Sequence, residues 1–283
     1  MQIELSDTGD LAHRAAILAP LAAHNQASTG IVDKGATLAV FLRDATGAVE
    51  GGMWAKLWYG WMKVEFAFLP AHRRGQRLGA RILSTLETAA VAQGAVGVWM
   101  ESFSFQAPGF YEKLGYRTVG VLADRPVGYS NSYLAKADGF GQEGAEFVVT
   151  TKPEAADLDA IGAGLSAFND AIAGPSGRRP LALLVRDEDS EILGGLWGRS
   201  GRGWLFIDLL GLPPALRRDG LGTRLMLKAE EEARRRGCVG IYLDTFTFQA
   251  RPFYEKLGYA VFAQIDGYPG GHTRFFLSKR LDR

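Results

Sequence analysis

One stretch of fourteen residues occurs twice in this chain with little change. FSFQAPGFYEKLGY begins at Phe103 and FTFQARPFYEKLGY begins at Phe246, and the two differ at three positions. Their tyrosines, Tyr111 and Tyr254, are 143 positions apart in a chain of 283 residues, which is about half its length. Solenoid units repeat every 20–50 residues or so, so a period this long predicts two copies of one domain instead.

The same offset aligns residues throughout both halves. Trp61 falls on Trp204, and the pair Leu78-Gly79 falls on Leu221-Gly222. A constant offset leaves room for few insertions, so we predict domains at residues 1–139 and 145–283. The Gly-rich polar segment ADGFGQEGAE, from residue 137 to 146, is the predicted linker.

Each copy has the hydrophobic patterns of an α/β protein. Short apolar runs such as TLAVFLRD and LALLVRDE predict strands, and a later change of period predicts a long helix. In that helix of the second copy, Leu221, Leu225, Ala229 and Ala233 share one face. Glutamates 230, 231 and 232 each stand four residues before an arginine, and Gly237 is placed to end the helix. The predicted order in each copy is β-α-β-β-β-α-β-α-β-β.

Charge and cysteine content exclude several classes of protein. Lys plus Arg (32) nearly balances Asp plus Glu (31), so no overall field favours nucleic acid or a membrane surface. The single cysteine, Cys238, excludes an internal disulfide, and we predict it to be a core residue. The histidines lack metal-binding spacing, so no metal site is predicted. The first residues lack a signal-peptide core, so we expect a soluble, cytoplasmic protein.

A glycine-rich turn precedes the long helix in LRRDGLGTRL. Free N–H groups at a helix start bind anions, and glycines allow a diphosphate to approach the backbone. Arg217 and Arg218 add positive charge there, and Gly220 and Gly222 supply the spacing R-x-x-G-x-G. An ordinary turn capped by Asp219 is the alternative interpretation.

Two acids and two tyrosines are further candidates. Glu65 and Asp208 occupy equivalent positions in otherwise apolar strands, and strand alternation predicts that Asp208 shares a face with Phe206 and Leu210. A half-exposed acid without a task is the alternative. Tyr254, like its counterpart in the first copy, carries a phenol that titrates near 10, above a thiol near 8.5, and is our candidate to protonate a departing thiolate.

Taken in this order, these features resemble the GNAT superfamily of acyl-CoA-dependent N-acyltransferases. The family motif (Gln/Arg)-x-x-Gly-x-(Gly/Ala) matches Arg217, Gly220 and Gly222, and A-x-x-x-Y-E-K-L-G-Y matches residues 250–259 and 107–116. The resemblance covers nearly the whole chain as two tandem copies. It implies a mixed, largely antiparallel sheet flanked by helices in each copy.

The resemblance also implies transfer of an acetyl group from acetyl-CoA to a primary amine of a small molecule or peptide by direct attack. Asp208 would take the proton from the amine and Tyr254 would protonate the thiolate, with Glu65 and Tyr111 as their first-copy counterparts. A backbone N–H of residues 209–211 would stabilise the oxyanion. The implied contacts to coenzyme A are Leu209, Leu210, Gly211, Leu212, Arg217, Arg218, Asp219, Gly220, Leu221, Gly222 and Thr223 in the second copy, and Arg74, Gly75 and Gly79 in the first.

The first copy departs from the motif because Arg77 stands where the second has Gly220. We therefore expect the second copy to be the main catalyst, with His272 and Trp197 as candidate substrate contacts. One alternative is a protein that binds acyl-CoA without turnover, and another is a purely structural first copy. We expect a monomer with pseudo-dimeric lobes or a homodimer, with no nucleic acid or membrane partner.

Overall fold

The computed structural model describes residues 2–32, 35–142, 144–217 and 219–281. The elements of the first half are β1 (Gln2–Ser6), α1 (Leu11–Thr29), β2 (Ala36–Arg43), β3 (Val49–Trp58), β4 (Trp61–Phe68), α2 (Leu78–Val91), β5 (Gly97–Phe103), α3 (Pro108–Lys113), β6 (Arg117–Ala123) and β7 (Ser130–Lys136). Those of the second half are α4 (Ala155–Ala173), β8 (Arg179–Arg186), β9 (Ile192–Gly201), β10 (Trp204–Gly211), α5 (Leu221–Arg235), β11 (Gly240–Phe246), α6 (Arg251–Lys256), β12 (Ala260–Asp266) and β13 (Thr273–Arg280).

The element order agrees with the prediction in the first copy and differs at the start of the second. Where a strand was expected before α4, the described residues form only an isolated bridge between Thr150 and Ala39 of β2. In the other lobe, the equivalent pairing joins β1 to β8 and extends over five residue pairs. The two copies therefore differ in how firmly their first strand is held.

All strands belong to one sheet of mixed but largely antiparallel pairing. Its order is β1-β8-β9-β10-β11-β13-β12-β6-β7-β5-β4-β3-β2, and β4–β5 and β10–β11 are its parallel pairs. The two halves join where Gly120 of β6 pairs with Ala263 of β12. These two residues are equivalent in the repeat, so a pseudo-twofold axis passes between them. The predicted fold class is confirmed.

The first helix of each copy packs against the sheet of the other copy. Helix α1 lies against β8, β9 and β10, whereas α4 lies against β3 and β4. We therefore define the first lobe as β2–β7 with α4, and the second lobe as β8–β13 with β1 and α1. Domains cut at residues 139 and 145 would separate both helices from their partners, although the boundary along the chain stays a prediction.

Matching hydrogen bonds fix this exchange on both sides. The Gln249 side chain donates to Asn25 Oδ1 of α1 at 2.9 Å, and Gln106 donates to Asn169 Oδ1 of α4 at 2.8 Å. Both asparagines are buried. Asn25 and Asn169 occupy the same position in two helices of equal length, so the exchange follows the symmetry of the two lobes.

The long helix of the second copy has the predicted apolar face, and its ion pairs differ in part. Its four predicted face residues are buried in one core that also contains Cys238. Glu230 and Glu232 pair with Arg234 and Arg236 as expected, but Arg235 pairs with Glu232, three residues earlier, instead of residue 231. None of the described helices is long and apolar enough to cross a membrane.

The join between the lobes predicts a sensitive position. A Cβ added at Gly120 would lie 2.3 Å from the Phe262 carbonyl oxygen and from Ala263 Cβ. We expect Gly120→Ala to lower the free energy of unfolding by about 1–3 kcal/mol, since it overpacks the backbone contact. Gly109→Ala is the matched control, because a Cβ there meets nothing within 4 Å. Equal urea midpoints for both variants would contradict a tight join.

Candidate active site

Each candidate acid lies at a β-bulge. The register between β3 and β4 shifts around Glu65, and the register between β9 and β10 shifts around Asp208. Bulges occur often beside active sites, where they redirect a side chain. The parallel ladders also stop here: β4 pairs with β5 only up to Val64, although β4 runs on to Phe68. Among the described residues, the edge of residues 65–68 that faces β5 therefore has no strand partner.

The bulge changes one prediction about the faces of β10. Simple alternation placed Phe206, Asp208 and Leu210 on one face. Instead Leu210 packs against the core under α5, while Leu209 packs with Ile17 of α1. The extra residue of the bulge shifts the alternation by one, so the prediction for Leu210 was wrong. Asp208 faces α1, where its Oδ2 lies 3.3 Å from Arg14 Nη2.

The described residues of the two glycine-rich turns share two structural features. Arg74 Nε donates to the Leu69 carbonyl and Arg217 Nε to the Leu212 carbonyl, both at 2.9 Å. Arg77, just before α2, has φ 58°, matching φ 72° at Gly220. The arginine thus adopts the left-handed conformation that glycine adopts in the other copy, so the turn survives the substitution. Arg218 lies outside the described residues.

The two tyrosines lie in equivalent places, but they differ in exposure. Tyr111 is half-buried, whereas Tyr254 is buried in the core under α5. Burial raises the pKa of Tyr111 to about 12 and raises that of Tyr254 further above its usual value. Both hydroxyls are therefore protonated at neutral pH.

A large cavity opens in the first lobe. It has a volume of about 810 Å³ and extends from the glycine-rich turn at Arg74, Gly75 and Gly79 to Glu65 and Tyr111. Phe103 lines it too, and its far wall comes from the second copy. That wall includes Arg178, Arg199, Gly201, Arg202, Phe206 and Tyr242. The first-copy candidates are thus brought together around one space that both halves enclose.

The equivalent strip of the second lobe is covered. Leu209, Gly211 and Leu212 are buried, whereas residues 65–69 of the first lobe are half-buried and line the cavity. A Cβ added at Gly211 would lie 2.1 Å from the carbonyl oxygen of Ile17, so α1 packs directly against this part of β10. Near the turn, Asp219 and Leu221 line a recess of about 60 Å³.

Trp197 packs in this covered part of the second lobe. It is 8 % exposed and lies in a cluster with Ile17 and Leu209. A tryptophan under α1 stabilises the core, so the structure gives no support to its predicted contact with substrate.

Two hairpin tips account for the difference between the lobes. The tip between β3 and β4 carries Trp58 and Tyr59, which pack on Phe246 with ring centroids 5.6 and 6.1 Å apart. Phe246, the equivalent of Phe103, is 2 % exposed. The equivalent tip between β9 and β10 carries Gly201 instead of the tryptophan. One lobe is therefore filled with aromatic rings at the place where the other has a cavity.

His272 lies beside this aromatic cluster. Its Nδ1 is 3.0 Å from Thr247 Oγ1, and its ring packs edge-on against Phe248 with a centroid distance of 4.9 Å. The first-copy counterpart, Tyr129, packs in the same way against Phe105. A contact of His272 with substrate stays a prediction.

A charged network in the cavity wall was missed by sequence reasoning. Lys63 Nζ lies 3.2 Å from Glu65 Oε1 and 3.7 Å from Glu101 Oε1. Arg125 donates to Glu101 at 3.0 Å and also bonds the hydroxyl of Tyr242, from the other copy. The available signal was the charge of Lys63 and Glu101 in apolar strands, where a buried ion needs a partner.

Opposing charges set the protonation of this network. Burial alone raises the pKa of Glu101, but Arg125, Lys63 and the Asn131 amide outweigh it and lower the pKa to about 2. Burial likewise lowers the pKa of Lys63, and the two glutamates more than reverse that. Both groups therefore carry their charge at neutral pH.

Comparison with known proteins bears on this arrangement. The model of the Acetyltransferase (GNAT) family matches residues 156–259. An acetyltransferase of Agrobacterium fabrum is 38% identical over 135 residues, which is 48% of this chain and 98% of the relative. The chain belongs to the GNAT acetyltransferase family. Blasticidin-S acetyltransferase of Streptomyces morookaense is 43% identical over 107 residues, 36% of this chain and 79% of that protein.

Solved structures of acetyltransferases also match this GNAT chain. One from Agrobacterium tumefaciens is 38% identical and covers 48% of this chain and 98% of its own, with a TM-score of 0.46. One from Bacillus cereus is 30% identical and covers 46% of this chain and 96% of its own, with a TM-score of 0.44. Each corresponds in length to about half of the tandem chain.

The lowered pKa of Glu101 predicts how stability depends on pH. Because its folded-state pKa of about 2 lies below the unfolded value near 4.3, its contribution is complete above about pH 4.5 and is lost as pH falls toward 2. We expect Glu101→Gln to lower the free energy of unfolding by about 3 kcal/mol at pH 7, since it leaves the half-buried Arg125 without its carboxylate partner. Urea unfolding at pH 2–7 measures this, and the deficit should shrink toward pH 2. Glu188→Gln, at an exposed turn, is the control. A deficit that stays constant with pH would contradict the assignment.

Proposed function

We propose that this acetyltransferase moves an acetyl group from acetyl-CoA to a primary amine of a small molecule or peptide, and that the first lobe carries out the transfer. The observation that carries the proposal is the 810 Å³ cavity, which joins the glycine-rich turn to Glu65 and Tyr111. In the second lobe, the equivalent residues 209, 211 and 212 are buried beside α1, and the aromatic tip between β3 and β4 fills the space next to Phe246. Our expectation from the motif alone favoured the second lobe, and the open space favours the first.

The residues around the cavity fit a coenzyme A thioester. Arg74, Arg77 and the first N–H groups of α2 would hold the diphosphate, because a helix start with added positive charge binds phosphate. The unpaired edge at residues 65–68 would hold the pantetheine arm as an added strand. When bound, acetyl-CoA supplies an activated acetyl group.

Glu65 is the proposed acceptor of the amine proton. An amine must be neutral to attack, and an alkylammonium near pKa 10 is mostly protonated at pH 7. Glu65 lies at the bulge of β4, beside the strand edge that would hold the thioester, so it is placed to take this proton. The amine nitrogen then bonds to the acetyl carbon as the carbon–sulfur bond breaks, and the proton released from nitrogen ends on sulfur.

Tyr111 stabilises the leaving sulfur. Its pKa of about 12 keeps the hydroxyl protonated, so it donates a hydrogen bond to the thiolate as negative charge develops. Tyr111 does not give up its own proton in this scheme. A thiol has a pKa near 8.5, well below that of Tyr111, so full proton transfer from the phenol to the thiolate is unfavourable. A backbone N–H of residues 66–68 is the proposed donor to the thioester oxygen.

Paired variants of the two lobes test which one is active. We expect Tyr111→Phe and Glu65→Gln to lower kcat by about 100-fold or more, measured as thiol release from acetyl-CoA with a panel of amines. Tyr254→Phe and Asp208→Asn should retain most of the wild-type rate, and they serve as matched controls for the loss of a hydroxyl or a charge.

Three results would require a different conclusion. If Tyr254→Phe abolishes release and Tyr111→Phe does not, the second lobe is the catalyst. If the wild-type protein binds acetyl-CoA in calorimetry but releases no thiol with any amine, a binding protein without turnover is favoured. If it binds no acetyl-CoA, the proposal fails. A cytoplasmic location stays a prediction, and so does the oligomeric state, a monomer with pseudo-dimeric lobes or a homodimer.

The hairpin tips allow the open site to be closed. Gly201→Trp gives the tip between β9 and β10 the side chain that Trp58 has in the other copy, and a Cβ there would lie 3.4 Å from the nearest atom, the Ser176 carbonyl oxygen. We expect kcat/KM for the amine to fall at least tenfold, because the ring occupies the acceptor end of the cavity. Calorimetric binding of acetyl-CoA should persist. Gly201→Ala is the matched control, and unchanged turnover in Gly201→Trp would argue against a first-lobe acceptor site.

A further inference from the structure

The cavity of the first lobe is far more basic than the protein as a whole. The chain has a formal net charge of only +1. Three arginines of the cavity belong to the region of the glycine-rich turn, where a diphosphate accounts for them. Five further cations line the remaining wall, against two carboxylates, Glu65 and Glu101. The five are Lys63, Arg125, Arg178, Arg199 and Arg202.

Three of these five cations are already neutralised. Lys63 lies between Glu65 and Glu101, and Arg125 bonds Glu101. Arg202 pairs with Asp170 at 2.5 Å and donates to the carbonyl oxygen of Gly174 at the end of α4. Both carboxylates of the cavity, Glu65 and Glu101, therefore already form ion pairs with cations of the cavity wall.

Arg178 and Arg199 differ from the other three cations because they form no salt bridge with any described residue. In the part of the chain that the structure describes, no carboxylate lies within salt-bridge distance of either guanidinium. Arg199, on β9, lies over the ring of Phe206 at 4.8 Å from its centroid. Arg178 follows α4 and lines the same wall. Both come from the second copy, so the exchanged helix and the hairpin bring them to the first-lobe cavity.

The two arginines act on each other and on the candidate base. Desolvation first, and then the charge of Arg199, lower the pKa of Arg178, while Tyr242, Asp208 and Glu65, in that order, oppose the change. Two like charges held close together repel, and an anion between them relieves the repulsion. Arginine also suits carboxylates and phosphates because its planar fork donates two parallel hydrogen bonds.

From this arrangement we infer that the acceptor of the proposed reaction is an amine that also carries an anionic group, a carboxylate or a phosphate ester, which Arg178 and Arg199 bind while the amine faces Glu65. This inference rests on the proposed function and narrows its substrate class. Amines with several positive charges are disfavoured, because the wall already has an excess of cations.

A matched series of amines tests the charge requirement. We would compare kcat/KM for thiol release with an aliphatic amine that ends in a carboxylate, a phosphate ester, a neutral alcohol or a second amine at similar chain length. We expect the anionic members to exceed the alcohol and the diamine by at least tenfold. The carboxylate and phosphate arms distinguish the two sources of the anion.

Variants of the two arginines assign the effect to this site. Arg178→Gln and Arg199→Gln should each lower kcat/KM for the anionic amines by about tenfold, through KM, and leave the alcohol within about twofold. Arg179→Gln is the control, because Arg179 is exposed and is not among the residues that line the cavity. Preference for the diamine, or an equal loss for all amines, would overturn the inference.

Failure of the proposed function would be distinguished by binding. If no amine releases thiol in the wild-type protein, calorimetry with the same amines in the presence of coenzyme A decides the inference separately. Binding of the anionic amines that is lost in Arg178→Gln and Arg199→Gln supports an anion site without turnover. Absence of that binding overturns the inference.

Discussion

The antiparallel contact between β6 and β12 is the constraint on which the rest of the arrangement depends. Gly120 and Ala263 are equivalent residues, and their pairing makes the two half-sheets one. Because the pseudo-twofold axis passes between them, each contact that one lobe makes across the join has an equivalent contact made by the other lobe. Trp61 Nε1 donates to the Gly267 carbonyl at 2.8 Å, and Trp204 Nε1 donates to the Asp124 carbonyl at 2.7 Å. Each hairpin tip is therefore anchored in the opposite lobe.

This symmetry explains how two nearly identical copies come to have different sites. In a homodimer, both hairpin tips have the same sequence, so a tryptophan that fills one site also fills the other. In a tandem chain, the two hairpin tips can differ in sequence, and here one copy has Trp58 where the other has Gly201. The aromatic tip adds Trp58 and Tyr59 to a core with Phe246, whereas the glycine tip leaves a cavity bordered by Phe103. The second lobe thus gains buried apolar surface at this place, whereas the first lobe keeps space for a substrate.

Local patterns in the sequence were enough to predict the family, all the elements except the first strand of the second copy, and part of the cavity lining, such as Glu65, Arg74 and Tyr111. They did not identify the charged network around Lys63 and Glu101. They could not predict the exchange of α1 and α4, because an apolar helix face does not specify which of two similar sheets it covers. They also could not predict the bulges at Glu65 and Asp208, which shift the alternation of β4 and β10 by one residue. The choice of lobe depended on Arg77, and only the backbone shows that an arginine adopts the conformation of Gly220 there.

The exchange also means that neither copy forms its site alone. The second lobe has α1 from the first copy packed against β10 at Gly211, and the first lobe takes α4, Arg178 and Arg199 from the second copy. The hydrogen bonds of Gln249 to Asn25 and of Gln106 to Asn169 cross between copies in both directions. A single copy would therefore expose the apolar face that the exchanged helix covers. The sequence repeat therefore does not correspond to an independent functional unit, because both copies are needed to enclose the cavity.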